Sequence, residues 1–226
     1  MSNKNLDIWE DIFQNNEWGK YPPVALIRMI ARNFYKVKSR ESVRILELGS
    51  GTGANLWYMA REGFTVYGID GSKTACDYAL NRLDSEKLSN RLGSIQVGDY
   101  FDKLHEFEDE YFDAIIDVES LYCNSFDKTR VILELAMSKL KPEGKLFSLS
   151  FSEGTWGLVG DEVNYHAVMP TEGPMAKKGF SRYMTRDDVI NLYKFDNNEI
   201  KSIEIQELHL DNHEVIKEWI IEVWKN

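Results

Sequence analysis

Glu47-Leu48-Gly49-Ser50-Gly51-Thr52-Gly53 is the segment with the clearest chemical meaning. It follows a short apolar run at 43–48 and precedes a stretch of helical character at 54–62, so it reads as the turn from a strand into a helix. Glycines at such a turn let the backbone approach a ligand closely, and the helix N-terminus behind them is electropositive. Gly49, Gly51 and Ala54 also fit the loose G-x-G-x-x-G/A pattern of dinucleotide sites, so the turn alone leaves the ligand class open.

Acids extend the constellation. Asp70 ends the second apolar run, where a carboxylate accepts hydrogen bonds from ribose hydroxyls. Asp99, in Gly98-Asp99-Tyr100, closes the third run and could accept from an adenine amino group. Asp117 lies within the fourth run, followed by Val118 and Glu119. Each acid has a plainer alternative. Asp70 and Asp99 could be capping or turn acids, Asp117 a buried acid bonded to backbone, and Glu119 a rim carboxylate instead of a general base.

The elements that must position these residues alternate. Apolar β-rich runs at 43–48, 65–69, 94–97, 114–118 and 145–151 alternate with helical patterns at 54–62, after Ser72 and at 128–140, which predicts βαβ units and a parallel sheet. Gly63 is a helix C-cap, and Ser72 an N-cap. Ala75, Cys76, Ala79, Leu80 and Leu83 share one face of the second helix, as do Val131, Ile132, Leu135 and Ala136 in the third. Lys141-Pro142-Glu143-Gly144 reads as a turn. Thr185-Arg186-Asp187-Asp188 reads as a capping box opening a short helix. Segments 200–210 and 215–225 alternate and meet at Asp211-Asn212-His213, so they should form an antiparallel hairpin, with a bulge near Glu207. Residues 1–42, with Pro22-Pro23 before a helix carrying Ile27, Ile30, Ala31 and Phe34, form a helical cap against the open edge of the sheet.

The segments VRILELGSGTG, VYGID, VGDY, FDAIIDVES and LKPEGKL together resemble a class I S-adenosylmethionine-dependent methyltransferase, over 43–151. The resemblance implies an α/β fold: a seven-stranded, mostly parallel, doubly wound sheet with an antiparallel last strand and a helical N-terminal cap. It implies S-adenosylmethionine as donor and S-adenosylhomocysteine as product. Glu47 and the backbone of Gly49, Gly51 and Gly53 would border the donor's methionine part. Asp70 would take the ribose hydroxyls, with Gly71 and Ser72 beside the adenosine. Asp99 and the Tyr100 backbone would meet the adenine, and Asp117, Val118 and Glu119 would line the methyl side. One domain spans 1–226: cap 1–42, core 43–151, lid 152–184, and closing helix and hairpin 185–226.

The lid, 152–184, is rich in glycine and has no clear period, as binding loops are. His166 and Glu119 are the candidate bases, and Tyr21, Tyr122, Trp156 and His166 the candidate acceptor contacts. Trp9, Trp18 and Tyr21 either close over the donor or simply pack the cap, and packing is the simpler expectation. Lys20 and Arg28 are cations near the cap, with a solvated face as default. His105 is expected at the surface, His209 and His213 in the hairpin away from the site, and Cys123 as a small buried hydrophobe.

Composition narrows the function. The 226 residues carry 27 Lys+Arg against 37 Asp+Glu, a net charge of −10. This disfavours nucleic acid, which is held by neutralised phosphates. No apolar run is long enough for a membrane span, and MSNKNLDIWEDIF lacks the order of a secretory leader. Two cysteines make no disulfide framework, so a cytoplasmic setting is expected. The [D/N]-P-P-[Y/F] tetrad of base-amine methyltransferases is absent, since the position reads Glu119-Ser120-Leu121-Tyr122. Ser152-Glu153-Gly154 lacks the ligands of metal-dependent relatives, so no metal is expected. The expected reaction is methyl transfer to an oxygen or nitrogen of a small molecule such as a sugar, nucleotide-sugar or metabolite. RNA or protein methylation, a non-catalytic donor-binding partner module and a nicotinamide-dependent oxidoreductase are the alternatives. Monomer and homodimer are not distinguished.

Overall fold

The computed structural model describes residues 3–212 and 214–226. Met1 and Ser2 of the N-terminal cap and His213 of the hairpin join lie outside the described residues.

The chain runs α1 (Asn3–Asn15), α2 (Val24–Phe34), β1 (Arg44–Leu48), α3 (Ala54–Arg61), β2 (Thr65–Asp70), α4 (Lys73–Ser85), β3 (Leu92–Val97), α5 (Tyr100–Leu104), β4 (Phe112–Val118), α6 (Phe126–Lys139), β5 (Leu140–Phe151), β6 (Ala167–Val168), β7 (Ser181–Arg182), α7 (Arg186–Tyr193), β8 (Asn198–His209) and β9 (Val215–Lys225). Seven strands form one sheet in the order β3-β2-β1-β4-β5-β9-β8. The first five pair in parallel, and β9 runs antiparallel to both β5 and β8. The expected doubly wound sheet is therefore present.

Strand alternation explains why helices cover both faces. In β1, Ile45 packs with Leu26, Ile30, Leu56 and Met59 of α2 and α3. Its neighbours Leu46 and Leu48 face the other way, with Leu104, Ile132 and Val189 of α5, α6 and α7. A third, smaller apolar cluster (Tyr122, Cys123, Phe151, Leu158, Val168 and Met175) lies under the lid.

Several expectations need correction. The N-terminal region does not cap the sheet edge: α2 is buried on a sheet face through Leu26, Met29 and Ile30, while α1 packs near α4. The buried stripe of α6 is Thr129, Ile132, Leu133, Ala136 and Met137, leaving Val131 exposed. Leu80 of α4 is likewise exposed. The expected turn at 141–144 lies inside β5, where pairing with β4 jumps from Phe112↔Leu140 to Ala114↔Lys145. The hairpin forms, but its irregularity falls between Ile200 and Ser202 rather than near Glu207. The lid is not structureless, since β6 and β7 pair within it. The capping box of α7 is present, with the Thr185 side chain accepting from the Asp188 amide.

Candidate functional site

The parallel strands β1, β2 and β4 end side by side, and the cavity lies at those carboxyl ends, where open α/β sheets bind ligands. Its volume is about 340 Å³. The floor is the glycine turn. Gly49 has φ +74°, and a Cβ there would stand 1.8 Å from Ser120 Oγ, so no side chain fits between the turn and the loop after β4. Gly53, also at positive φ, packs against Ala79 and does not line the cavity.

Glu47 is 1% exposed at the end of β1. Asn55 Nδ2 donates to its Oε1 at 2.5 Å, while Oε2 is buried without a partner among the described residues. Burial pushes the Glu47 carboxyl well above the usual carboxylate range, and the nearby Asp70 and Asp117 add to this. Ser50 Oγ and Asn55 Oδ1 are also buried without partners among the described residues, and both residues line the cavity. Three unmatched polar atoms in one pocket call for a polar ligand.

Asp70 sits at the end of β2 and accepts from the Gly51 amide at 2.8 Å and the Ser72 amide at 2.8 Å. Burial still lifts it to about 6 despite these bonds. Gly71, Ser72 and Tyr100 line the same end of the cavity. The Tyr100 hydroxyl bonds to Ser120 Oγ.

Asp99 does not line the cavity. It accepts from the Phe101 amide at 3.0 Å as the N-cap of α5 and pairs with Lys128 at 2.7 Å, which together hold it below the usual carboxylate range against its own desolvation. Asp117 accepts from the amides of Ser120 and Leu121 and from Ser148 Oγ, so its partners are protein groups that shape the loop after β4.

The other end of the cavity carries Val118, Glu119, Tyr122, Cys123, Met175 and Lys178. Glu119 lines this end of the cavity with an exposed surface, and desolvation by the walls around it raises its carboxyl above the ordinary value. Burial pushes the Cys123 thiol up to about 12, so it is held as a neutral thiol. Tyr21 and Tyr122 line the cavity as expected. Trp156 and His166 do not. Trp156 is half-buried within the lid, and its amide donates to Val215 O. His166 bonds through Nδ1 to Asp188 at 2.6 Å and stacks on Tyr165 and Tyr183, tying β6 to the start of α7.

The roof is α1 and the segment after it. Leu6, Trp9, Phe13 and Trp18 line the cavity, the three aromatics in mutual edge or tilted contact at 5.4–5.7 Å. Glu10 anchors this helix on α4, accepting from Ser72 Oγ, Thr74 Oγ1 and the Thr74 amide. These bonds outweigh desolvation and lower it to about 2. Asn5 anchors the other side, donating to Cys123 O and accepting from the Phe180 amide. The sequence reading missed Leu6, Glu10, Phe13 and Lys178. The apolar spacing Leu6, Trp9, Phe13 was the available signal.

Comparison with known proteins agrees with this geometry. A family model described as a methyltransferase domain matches residues 39–210. The chain is 26% identical over 131 residues to ubiquinone biosynthesis O-methyltransferase of Actinobacillus pleuropneumoniae, covering 57% of this chain and 55% of that protein. It is 40% identical over 78 residues to EEF1A lysine methyltransferase 2 of Danio rerio, covering 34% of this chain and 32% of that protein. The chain thus spans about half or less of these curated relatives. A crystal structure described as a SAM-dependent methyltransferase from Methanosarcina mazei superposes with a TM-score of 0.68 at 20% identity, covering 82% of this chain and 93% of that one. The chain belongs to the methyltransferase-domain family and has the class I S-adenosylmethionine-dependent fold.

Proposed function

We propose that this chain binds S-adenosylmethionine across the ends of β1, β2 and β4 and passes its methyl group to an oxygen or nitrogen of a small molecule. The observation that carries this reading is the pairing of two buried acids in one cavity: Glu47, with an unmatched Oε2, and Asp70, bridging two amides. The donor supplies an electrophilic methyl on a sulfonium, so the protein's part is positioning and exclusion of water.

Glu47 receives an α-ammonium on its free oxygen, which restores the ionised form that burial disfavours. Gly49 and Gly51 allow close approach of the backbone. Asp70 keeps lone pairs for two ribose hydroxyls beyond its amide bonds. Gly71, Ser72 and Tyr100 flank the adenosine. Asp99, next in chain to Tyr100, remains the candidate for the adenine amino group, shared with Lys128. The acceptor lies toward Tyr122, Met175 and Lys178. A roof and a lid that both reach the cavity, with a net charge of −10, favour a small acceptor over RNA. A lysine methyltransferase among the relatives keeps a protein side chain as the second reading.

Calorimetry with S-adenosylhomocysteine tests the site. Binding is expected, and Asp70→Ala should weaken it by about 2 kcal/mol, roughly thirtyfold. Failure of the parent protein to bind overturns the proposal. Transfer of a labelled methyl group to any acceptor separates an enzyme from a non-catalytic binding module.

A further inference from the structure

Lys178 is the one cation among the described residues that line the cavity, whose other charged groups are the acids Glu47, Asp70 and Glu119. Lys20 and Arg28, the cations expected near the cap, are exposed and do not line it. Both neighbours of Lys178 have left-handed backbone, Lys177 at φ 62° and Gly179 at φ 85°. A lysine at positive φ is strained, and such strain persists only where the surroundings hold it. Here the surroundings are α1 and the lid. A Cβ at Gly179 would stand 2.4 Å from Asn5 Oδ1, and the Phe180 amide donates to that same oxygen at 3.1 Å. The Lys178 amide donates to Met175 O at 3.1 Å. Lys177 is left exposed, while Lys178 is half-buried against the cavity.

The Lys178 ammonium lies 4.9 Å from the Trp18 ring centroid. Among the described residues it makes no hydrogen bond or ion pair, with Glu119 or with any other acid. An aromatic face offsets only part of the cost of taking a cation out of water. That desolvation lowers the ammonium below the ordinary lysine value. Three N–H donors and a positive charge therefore open on the cavity without an acceptor oxygen to receive them. The same end is otherwise walled by Tyr122, Cys123 and Met175, which offer no charge. A compact oxyanion on the ligand supplies both the charge and the acceptor oxygens. The donor's own carboxylate stays beside its ammonium, which the reading above places on Glu47 at the opposite end, so the oxyanion belongs to the acceptor.

We propose that the methyl acceptor carries an oxyanion, a carboxylate or a phosphate, apart from the oxygen or nitrogen that is methylated, and that Lys178 binds it and so selects anionic small molecules over neutral ones. This rests on the methyl-transfer reading. The oxyanion is a handle and takes no part in bond making. The methylated atom forms its bond to the methyl carbon, the electrons of the broken bond stay on the donor sulfur, and the displaced proton leaves to water. The net charge of −10 does not oppose this, because repulsion between exposed charges is largely screened beyond about 10 Å, whereas contact with Lys178 is not.

An extract of small metabolites, incubated with the 226-residue protein and a donor carrying a tritiated methyl group, tests the assignment. After removal of unreacted donor, the label should be retained on an anion-exchange resin. Phosphatase treatment of the extract beforehand distinguishes the sources, since loss of label marks a phosphate and survival a carboxylate. Lys178→Met should cut labelling about tenfold or more at limiting acceptor, through the acceptor KM rather than kcat. Lys178→Arg should restore much of it, which a merely structural role would not produce. S-adenosylhomocysteine affinity should stay within roughly threefold of the parent in both variants. Label in the unretained fraction, no label at all, or full labelling by Lys178→Met overturns the proposal. A larger loss of S-adenosylhomocysteine affinity in folded Lys178→Met assigns the ammonium to the donor's carboxylate and overturns it equally. The parent's partition on the resin stands even if a variant fails to fold. Absence of S-adenosylhomocysteine binding by the parent would instead sink the methyl-transfer reading.

Discussion

Asp117 illustrates how a single buried acid shapes the cavity without lining it. It takes two amides and a serine hydroxyl, and burial nevertheless lifts its carboxyl to about 6. An acid raised in the folded state contributes stability below its unfolded value near 4, and that contribution is lost as pH rises through 6. Asp117→Asn keeps the two amide bonds through Oδ1 and removes the ionisation. It should flatten the fall in stability between pH 4 and 6 and gain on the order of 2 kcal/mol at pH 7, read from urea unfolding across that range. His166 makes the opposite point. Its type and its place in a lid suggested a base, but the fold gives its Nδ1 to Asp188. His166→Ala should cost about 1 kcal/mol of stability and leave S-adenosylhomocysteine affinity unchanged. Asp70, Glu47 and Glu119 were legible as residues of one cavity because acids at strand ends follow from the glycine turn and the run lengths. The partner of His166, twenty-two residues away, was not, because it depends on how the lid meets α7.

At the scale of elements, the parallel strands were legible as apolar runs, since strands buried on both faces leave an unbroken hydrophobic signature. Boundaries were less so. Leu140 pairs with Phe112 before a four-residue interruption, and a sequence shows only the turn residues there. The role of α1 was hidden for a different reason. Its aromatics were expected to pack the cap, and they do touch one another, but they do so over the cavity. Nothing in residues 3–15 announces that Glu10 reaches the N-terminus of α4, a contact made between segments far apart in the chain. With that anchor removed, the roof should open more often. Glu10→Ala is expected to raise the dissociation rate of S-adenosylhomocysteine five- to tenfold, about 1 kcal/mol, in stopped-flow measurements, with little change in association. An unchanged rate would mean that Asn5 and the aromatic contacts suffice.

For the whole molecule, the order β3-β2-β1-β4-β5-β9-β8 places the later hairpin strand inside the sheet. Trp219, Ile221 and Val223 of β9 are buried in the main core, and Glu222 of the same strand bonds to Arg32 and Asn33 of α2. A chain shortened to residue 210 would leave β5 and β8 as two unpaired edges with an open core between them. It is expected to be recovered as aggregate, by size exclusion, where the 226-residue protein elutes as a discrete species. The charge of −10 does not rescue it, because exposed strand edges pair through backbone. The position of β9 also sets a clock on synthesis. The glycine turn and Asp70 leave the ribosome early and can fold as local βα units, whereas β9 emerges near the end. During translation the half of the cavity floored by the glycine turn can therefore take shape before β9 completes the sheet beside β5.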